Sequence, residues 1–446
     1  LASGASQTGF GRTGTVDWQT SIKTGDFTAV NGEGYFVDTS STAITVTLPS
    51  SPSAGNIVAV KDYANTADTN KITFNRNGSN IDGGTENPII KNEGGAVSLV
   101  YADATKGWLV TDAAQKSDLG FPSFIAATGG TVTTVCTDFK VHTFTGPGTF
   151  CVSAVGNACG SNSVDYLVVA GAGGGGHGQA CWQAAGGGGA GGYRESSGAA
   201  SGSYARSPLG ACVTALPVAA TGYPVTIGAG GAGAPASAAP NPGGTPGNNS
   251  VFAGTTTITS AGGGGGRGYD AGDGKSGGSG GGAGTRNDPS PGLSPGTVGA
   301  GNTPSESPPQ GNPGGRGTQY IFGPGSNHAG GGGGGATTAG SNGCAGTSGP
   351  GGTGGTGGTS SINGTPTQRA GGGGGGSDSN PGGTATGGGG AGGYGVGSPN
   401  GRADGVAGTS NTGGGGGGGA AASAPGNSAS GGAGGSGIVM IRYKFQ

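Results

Sequence analysis

The residues of this chain that could do chemistry are few, and none stands in the company its chemistry needs. Gly274-Lys275-Ser276 ends like a phosphate-binding loop, in which backbone N–H groups cradle phosphates and the lysine reaches them. Such a loop has its first glycine where Tyr269 stands and an apolar strand before it, and both are missing. Gly274-Lys275-Ser276-Gly277-Gly278 also spells the turn that exposes a serine nucleophile, without the strand and helix that hold that turn strained. Gly265-Gly266-Arg267-Gly268-Tyr269-Asp270 opens like a calcium-binding nonapeptide. Gly272 takes its apolar place and the unit does not repeat, which leaves Asp270 and Asp273 as unsupported ligands. His142, His177 and His328 stand apart, and Cys136, Cys151, Cys159, Cys181, Cys212 and Cys344 have no zinc-site spacing. Dinucleotide fingerprints recur wherever glycine is dense and carry no information. The expectation is a protein with no catalytic residue, cofactor or metal, and not an enzyme.

What remains is recognition chemistry. Aromatic rings, guanidinium groups and amides concentrate between the glycine runs, in 192–206, 267–273, 286–288, 319–322, 327–328, 368–369 and at Tyr394. Tyr204, Arg267, Tyr269, Tyr320, Phe322 and Tyr394 are the candidate receptor-binding residues, because such groups stack on sugars and bind hydroxyls or charged surface groups. The competing role for each aromatic is to seal the end of a glycine rod.

The elements that must position them are seven pure glycine runs, at 173–176, 186–189, 262–266, 330–335, 371–376, 387–390 and 413–419. Glycine builds no side-chain core and loses the most conformational freedom on ordering. The ordered state open to it is the extended threefold helix, about 3.1 Å per residue, whose N–H and C=O groups point outward and need partners. Neighbouring helices supply them only if no side chain holds the axes apart, so a surrounded rod must be pure glycine. Residues 351–359 read Gly-Gly-Thr three times, which puts every threonine on one edge. A flexible linker would scatter its glycines instead of blocking them, and collagen needs glycine at every third position over long stretches. Ordering costs about 1 to 2 kcal/mol per residue against about 0.5 to 1.5 per hydrogen bond, so the rods need a clamp.

Composition narrows the rest. With 118 Gly among 446 residues, 9% charged residues and a net charge of -2, neither an average globular domain nor a charge-driven disordered chain fits. Without a basic face, nucleic acid is not an expected partner. No apolar stretch reaches the ~20 residues of a membrane span. The start at Leu1 shows no signal peptide and reads as a processed or truncated N-terminus. The cysteines allow 15 disulfide pairings if all six are bonded; Cys151 with Cys159 is the simplest pair, and buried free thiols are the alternative.

Along the chain, 1–30 is a polar lead-in and 31–115 a small β-rich module. Its runs at 35–37, 43–48, 56–60, 71–74, 96–101 and 107–111 are rich in β-formers and bounded by turn residues. Residues 116–170 form a linker and β clamp, in which 139–145 and 149–153 flank Gly146-Pro147-Gly148 and predict a hairpin. The glycine-rich bundle with its variable loops spans 171–437. The closing strand, 438–446, puts Val439, Ile441, Tyr443 and Phe445 on one face. The strand 164–170 enters the bundle and this one leaves it, and their pairing would close the clamp. The fold class is all-β modules plus a bundle of polyglycine helices, with essentially no α-helix.

The series Val141-His142-Thr143-Phe144-Thr145-Gly146, Asp165-Tyr166-Leu167-Val168-Val169-Ala170-Gly171, Tyr223-Pro224-Val225-Thr226-Ile227-Gly228, Ile258-Thr259-Ser260-Ala261-Gly262 and Gly435-Ser436-Gly437-Ile438-Val439-Met440-Ile441-Arg442-Tyr443 resembles the glycine-rich domain of bacteriophage tail-fibre proteins. Residues 33–112 resemble β modules in fibres of marine phages, and the glycine tract is similar to the tip adhesins of T-even-like phages, whose stacked polyglycine helices carry host-recognition loops. The resemblance implies a non-enzymatic virion tail fibre acting outside the cell, binding a host outer-membrane protein or polysaccharide. It also implies other virion tail proteins as partners, and a homotrimer. The alternatives are an ice-binding protein of stacked glycine-rich helices, with Thr353, Thr356 and Thr359 as its rank, and a cellular extracellular filament or matrix protein.

Overall fold

The computed structural model describes residues 16–112, 119–120, 122–157, 160–179, 183–202, 204–210, 214–236, 243–268, 273–285, 296–318, 328–344, 349–378, 380–395, 403–420 and 428–446. The chain divides into two compact units, one of residues 1–123 with 156–160, the other of 124–155 with 161–446.

In the first unit the chain winds alternately between two sheets. Asp17–Trp18, Glu33–Val37 and Ile57–Asp62 line up in parallel in one sheet, and Phe27–Thr28, Ile44–Thr47 and Ile72–Asn75 in parallel in the other. Antiparallel strands Ile89–Ile90, Ala96–Asp103, Gly107–Val110 and Leu119–Gly120 complete the sheets. Alternation decides which faces meet: Ile44, Val46, Ile72 and Phe74 point inward while the threonines between them stay partly open. Val37, Val58, Val60, Leu99 and Trp108 fill the same core. Gly107 adopts φ +72°, and a Cβ there would stand 1.7 Å from the Asn80 carbonyl oxygen, so only glycine closes that turn. All six β-rich runs of the module are strands; the lead-in, expected to be irregular, contributes Asp17–Trp18 and Phe27–Thr28 to the sheets.

The second unit begins as a sandwich. One sheet orders Ala126–Thr128, Gly148–Ala154, Gly222–Thr226, Ser250–Ala253 and Thr257–Ser260. In the other, the closing strand Ile438–Lys444 lies between Phe139–Phe144 and Ser163–Val169, with Val169 opposite Ile438 and Asp165 opposite Arg442. The entering and leaving strands therefore pair as expected. The predicted hairpin does not form: Phe139–Phe144 and Gly148–Ala154 belong to different sheets, and Gly146-Pro147-Gly148 carries the chain across. The reason is burial, because Phe144 and Phe150 both enter the core between the sheets, where a flat hairpin would leave one face wet. Val439, Ile441 and Tyr443 join that core, while Ile438 and Met440 face the other way, onto Ala190, Tyr193, Ala336 and Ala370. The closing strand is thus buried on both faces.

His142 lies in this clamp, fully buried, with Nδ1 2.7 Å from the Gly129 carbonyl and Nε2 3.1 Å from the Tyr443 hydroxyl. Burial is the main cause holding its pKa below 6.5. A base with a depressed folded pKa contributes stability above its unfolded value and loses it as pH falls through 6.5 toward the folded value. The wild type should therefore lose up to about 1.4 kcal/mol per pH unit in that window. His142→Gln, followed by urea melts from pH 7.5 to 5, should flatten this slope; an unchanged slope would remove His142 as its source.

Beyond the clamp the chain runs back and forth in rods: 170–178, 184–192, 227–236, 243–249, 261–268, 273–277, 278–285, 296–302, 311–318, 328–336, 339–344, 349–357, 370–378, 380–386, 389–395, 403–409, 413–420 and 428–437. The 184–192 rod is at the centre and shows the rule. Gly186, Gly189 and Gly192 donate to the 261–268 rod, Gly187 and Ala190 to 328–336, and Gly188 and Gly191 to 413–420. Its carbonyls at Gly186 and Gly189 accept from 170–178, those at Gly187 and Ala190 from 278–285, and those at Ala185 and Gly188 from 370–378. These bonds measure 2.7–3.1 Å. Donors and acceptors step around the axis every three residues, as a threefold helix with six neighbours requires.

Close approach explains the glycine. A Cβ on Gly188 would stand 2.1 Å from the Gly173 carbonyl oxygen and one on Gly187 2.2 Å from that of Gly373. The inner rods are not pure glycine, however. Ala172, Ala185, Ala190, Ala329, Ala336, Ala370, Ala420 and Ala429 are buried within a few residues of rod ends. Outer rods expose one residue in three: Ala229, Ala232 and Pro235 alternate with the buried Gly228, Gly231 and Ala234. In 349–357 the exposed or half-exposed edge is Thr353 and Thr356, continued by Thr359, as the Gly-Gly-Thr repeat predicts.

Candidate recognition face

The rods begin and end on two opposite faces of the bundle. One carries the clamp and the described turns at 303–310, 337–338 and 409–412, together with the hairpin of Gly358–Ser360 and Thr367–Arg369. On the other, outgoing rods finish at Gly178, Ala236, Gly268, Thr285, Thr318, Cys344, Asp378, Gly395 and Ala420.

Arg267 and Tyr394 belong to this far face. Tyr394 is 49% exposed and is held by a backbone bridge to Ser377. Arg267 fixes its backbone by accepting from Gly186 at 2.8 Å, and its side chain packs beside Gly243. Tyr269, Tyr320 and Phe322 lie outside the described residues, as does Asp270; in sequence they follow Gly268 and Thr318 within a few positions. Asp273 accepts the Thr297 N–H at 2.6 Å. His328 and Asp378 tie two rod ends together here: the Asp378 carboxylate accepts the His328 backbone N–H at 3.0 Å and lies 3.1 Å from its Nδ1, both residues buried.

Tyr204 lies apart from Arg267 and Tyr394. It sits at the clamp face, partly buried, with the Arg442 guanidinium 5.1 Å from its ring centroid and 4.5 Å from that of Phe139. Burial pushes its phenol pKa up. The segment around it, expected to be a recognition loop, is a strap pinned by two buried carboxylates. Asp165 accepts from the Ser196 hydroxyl at 2.7 Å, the Gly198 N–H at 2.9 Å, and the Ser201 N–H and hydroxyl at 2.8 and 2.6 Å. Glu195 accepts from the Ser207 N–H and hydroxyl at 3.0 and 2.6 Å and from the Tyr193 hydroxyl at 3.1 Å. Desolvation raises the Glu195 pKa against those hydrogen bonds. Sequence reading missed both anchors, although the serines that follow Glu195 are the usual partners of a buried carboxylate.

Cys136, Cys151 and Cys344 are free and exposed, which corrects the expectation of buried thiols at these positions; Cys159, Cys181 and Cys212 lie outside the described residues. Among the described residues no group of three His, Cys, Asp or Glu side chains stands close enough to hold a metal ion. No helix among them is long and apolar enough to cross a membrane.

A comparison with curated proteins returns no match. The family model of the glycine-rich domain matches residues 144–444, from the end of the Phe139–Phe144 strand through the closing strand. That stretch holds every rod, the pairing of Ser163–Val169 with the closing strand and most of the sandwich core, and is more than half of the 446 residues. The chain belongs to the glycine-rich domain family.

Proposed function

We propose that this chain is a non-enzymatic adhesive fibre segment, a bacteriophage tail-fibre tip whose far face binds the host cell surface. The observation that carries the reading is the sorting of the bundle's two ends. Arg267 and Tyr394 lie at the end away from the clamp, and the varied segments with Tyr269, Tyr320 and Phe322 join rods that finish there. The inner rods between are mostly glycine bonded to glycine, and their buried residues offer no recognition groups. A platform of this kind holds its contact residues in fixed relative positions, so ordering entropy is spent at folding and less is lost on binding.

Receptor chemistry follows from the groups: rings to stack on sugars, a guanidinium for anionic groups. The receptor is an outer-membrane protein or polysaccharide, other tail proteins attach the segment to the virion, and trimeric assembly would multiply weak single contacts. Exchanging Arg267, Tyr269, Tyr320, Phe322 and Tyr394 for alanine should abolish adsorption to cells that take up the parent, with the bundle still folded by its melting. Tyr204→Phe should leave adsorption intact. Normal adsorption by the five-residue variant would refute the assignment of the far face.

A further inference from the structure

We infer that the described rods leave one position unfilled, a groove between the 243–249 and 273–277 rods that takes a single extended glycine-rich strand of a second polypeptide. The inference comes from the neighbours of each inner rod. Rod 170–178 bonds to 184–192, 227–236, 243–249, 261–268, 413–420 and 428–437, and thus has a partner in every direction of a hexagonal array. The 278–285, 328–336, 370–378 and 413–420 rods are likewise surrounded. The exception is 261–268. It bonds to 170–178, 184–192, 243–249, 273–277 and 278–285, and among the described residues no rod stands in the sixth direction.

The hydrogen bonds mark the gap. Donors of 261–268 fall in three rows: Gly263 and Gly266 give to 170–178, and Gly264 and Arg267 to 278–285. The third row is Gly262 and Gly265. Gly262 donates at 2.9 Å to the Asn249 side-chain oxygen, which stands where a neighbouring rod would place a carbonyl. Gly265, buried in the same rod, has no acceptor among the described residues. At the far end of the groove the Arg267 side chain lies beside Gly243, and its Nε is buried without a hydrogen bond. Along 243–249 only Thr245 and Asn248 accept backbone bonds from described residues, which leaves carbonyls for an incoming strand's N–H groups.

The occupant must be glycine-rich because it has to approach as closely as the rods already there. Its inward residues can carry no Cβ, whereas every third residue faces solvent, as in the Gly-Gly-Thr rod. A saccharide has hydroxyls but no alternation of N–H and C=O at a three-residue repeat, and it would leave the Gly265 row unmatched or matched once.

The test is residue-resolved hydrogen exchange on the whole chain, with the peptide Gly-Gly-Thr-Gly-Gly-Thr-Gly-Gly as probe and a control with valine at each central glycine. Without peptide, the Gly265 amide should exchange far faster than those of Gly263, Gly264 and Gly266. At a concentration ten times its dissociation constant the probe should slow Gly265 about tenfold, and the control should not. Asn249→Gly, which frees the Gly262 N–H, should tighten the probe about fivefold, the worth of one hydrogen bond. Slow exchange of Gly265 in the free chain would mean that the position is already filled. That result, or no effect of millimolar probe, or equal protection by the control or by sulfate, would overturn the proposal.

Discussion

Gly373→Val and Gly416→Val are each expected to destroy the rod bundle. A Cβ on Gly373 would stand 2.1 Å from the Gly416 carbonyl oxygen, and one on Gly416 2.0 Å from that of Gly432. The atoms met are backbone, so no side chain can swing aside. The rods must separate, and separation breaks hydrogen bonds along their length, beginning with Gly373 to Gly188 and Gly188 to Gly416. Overpacking costs about 1 to 3 kcal/mol and each lost bond about 0.5 to 1.5, a sum of about 3 to 6 kcal/mol, comparable to the whole stability of many domains. Thr353→Val, on the exposed edge of a rod, should change stability by less than about 0.5 kcal/mol. Thermal melts of the three variants check the contrast. Equal melting of all three would contradict the packing.

Asp165→Ala is the second large effect. The carboxylate is fully buried and accepts four hydrogen bonds from Ser196, Gly198 and Ser201. Removing it strands those donors in the interior, at about 3 to 5 kcal/mol in total once neighbours relax. The strap should then open, and trypsin should cut after the exposed Arg206 much faster than in the wild type. Wild-type cleavage rates would show that the strap is held by something else.

The contrast between these two sites marks what the sequence could and could not convey. Rods were legible because glycine blocks admit only one ordered backbone and the Gly-Gly-Thr repeat carries the threefold period in its own spacing. Strand runs were legible from alternation, as at Val439, Ile441 and Tyr443. Which strands pair was less so: Phe139–Phe144 and Gly148–Ala154 look like a hairpin locally, and only the shared burial of Phe144 and Phe150 sends them to different sheets. The place of Tyr204 was hidden for a related reason. A tyrosine between glycine runs reads the same whether it faces solvent or packs beneath Arg442, whose contact with it crosses more than two hundred residues of chain. The buried alanines were hidden too, because the rule that a surrounded rod must be pure glycine treats every position alike.

The central claim, that glycine threefold rods bonded on all sides form the rigid body of the molecule, is tested most directly by amide exchange along the 184–192 rod. Gly186 through Gly192 each donate to a neighbouring rod, so their exchange should require opening of the whole bundle and proceed at the rate set by global unfolding. Exchange of these amides at the rate of an unstructured glycine chain would contradict the account.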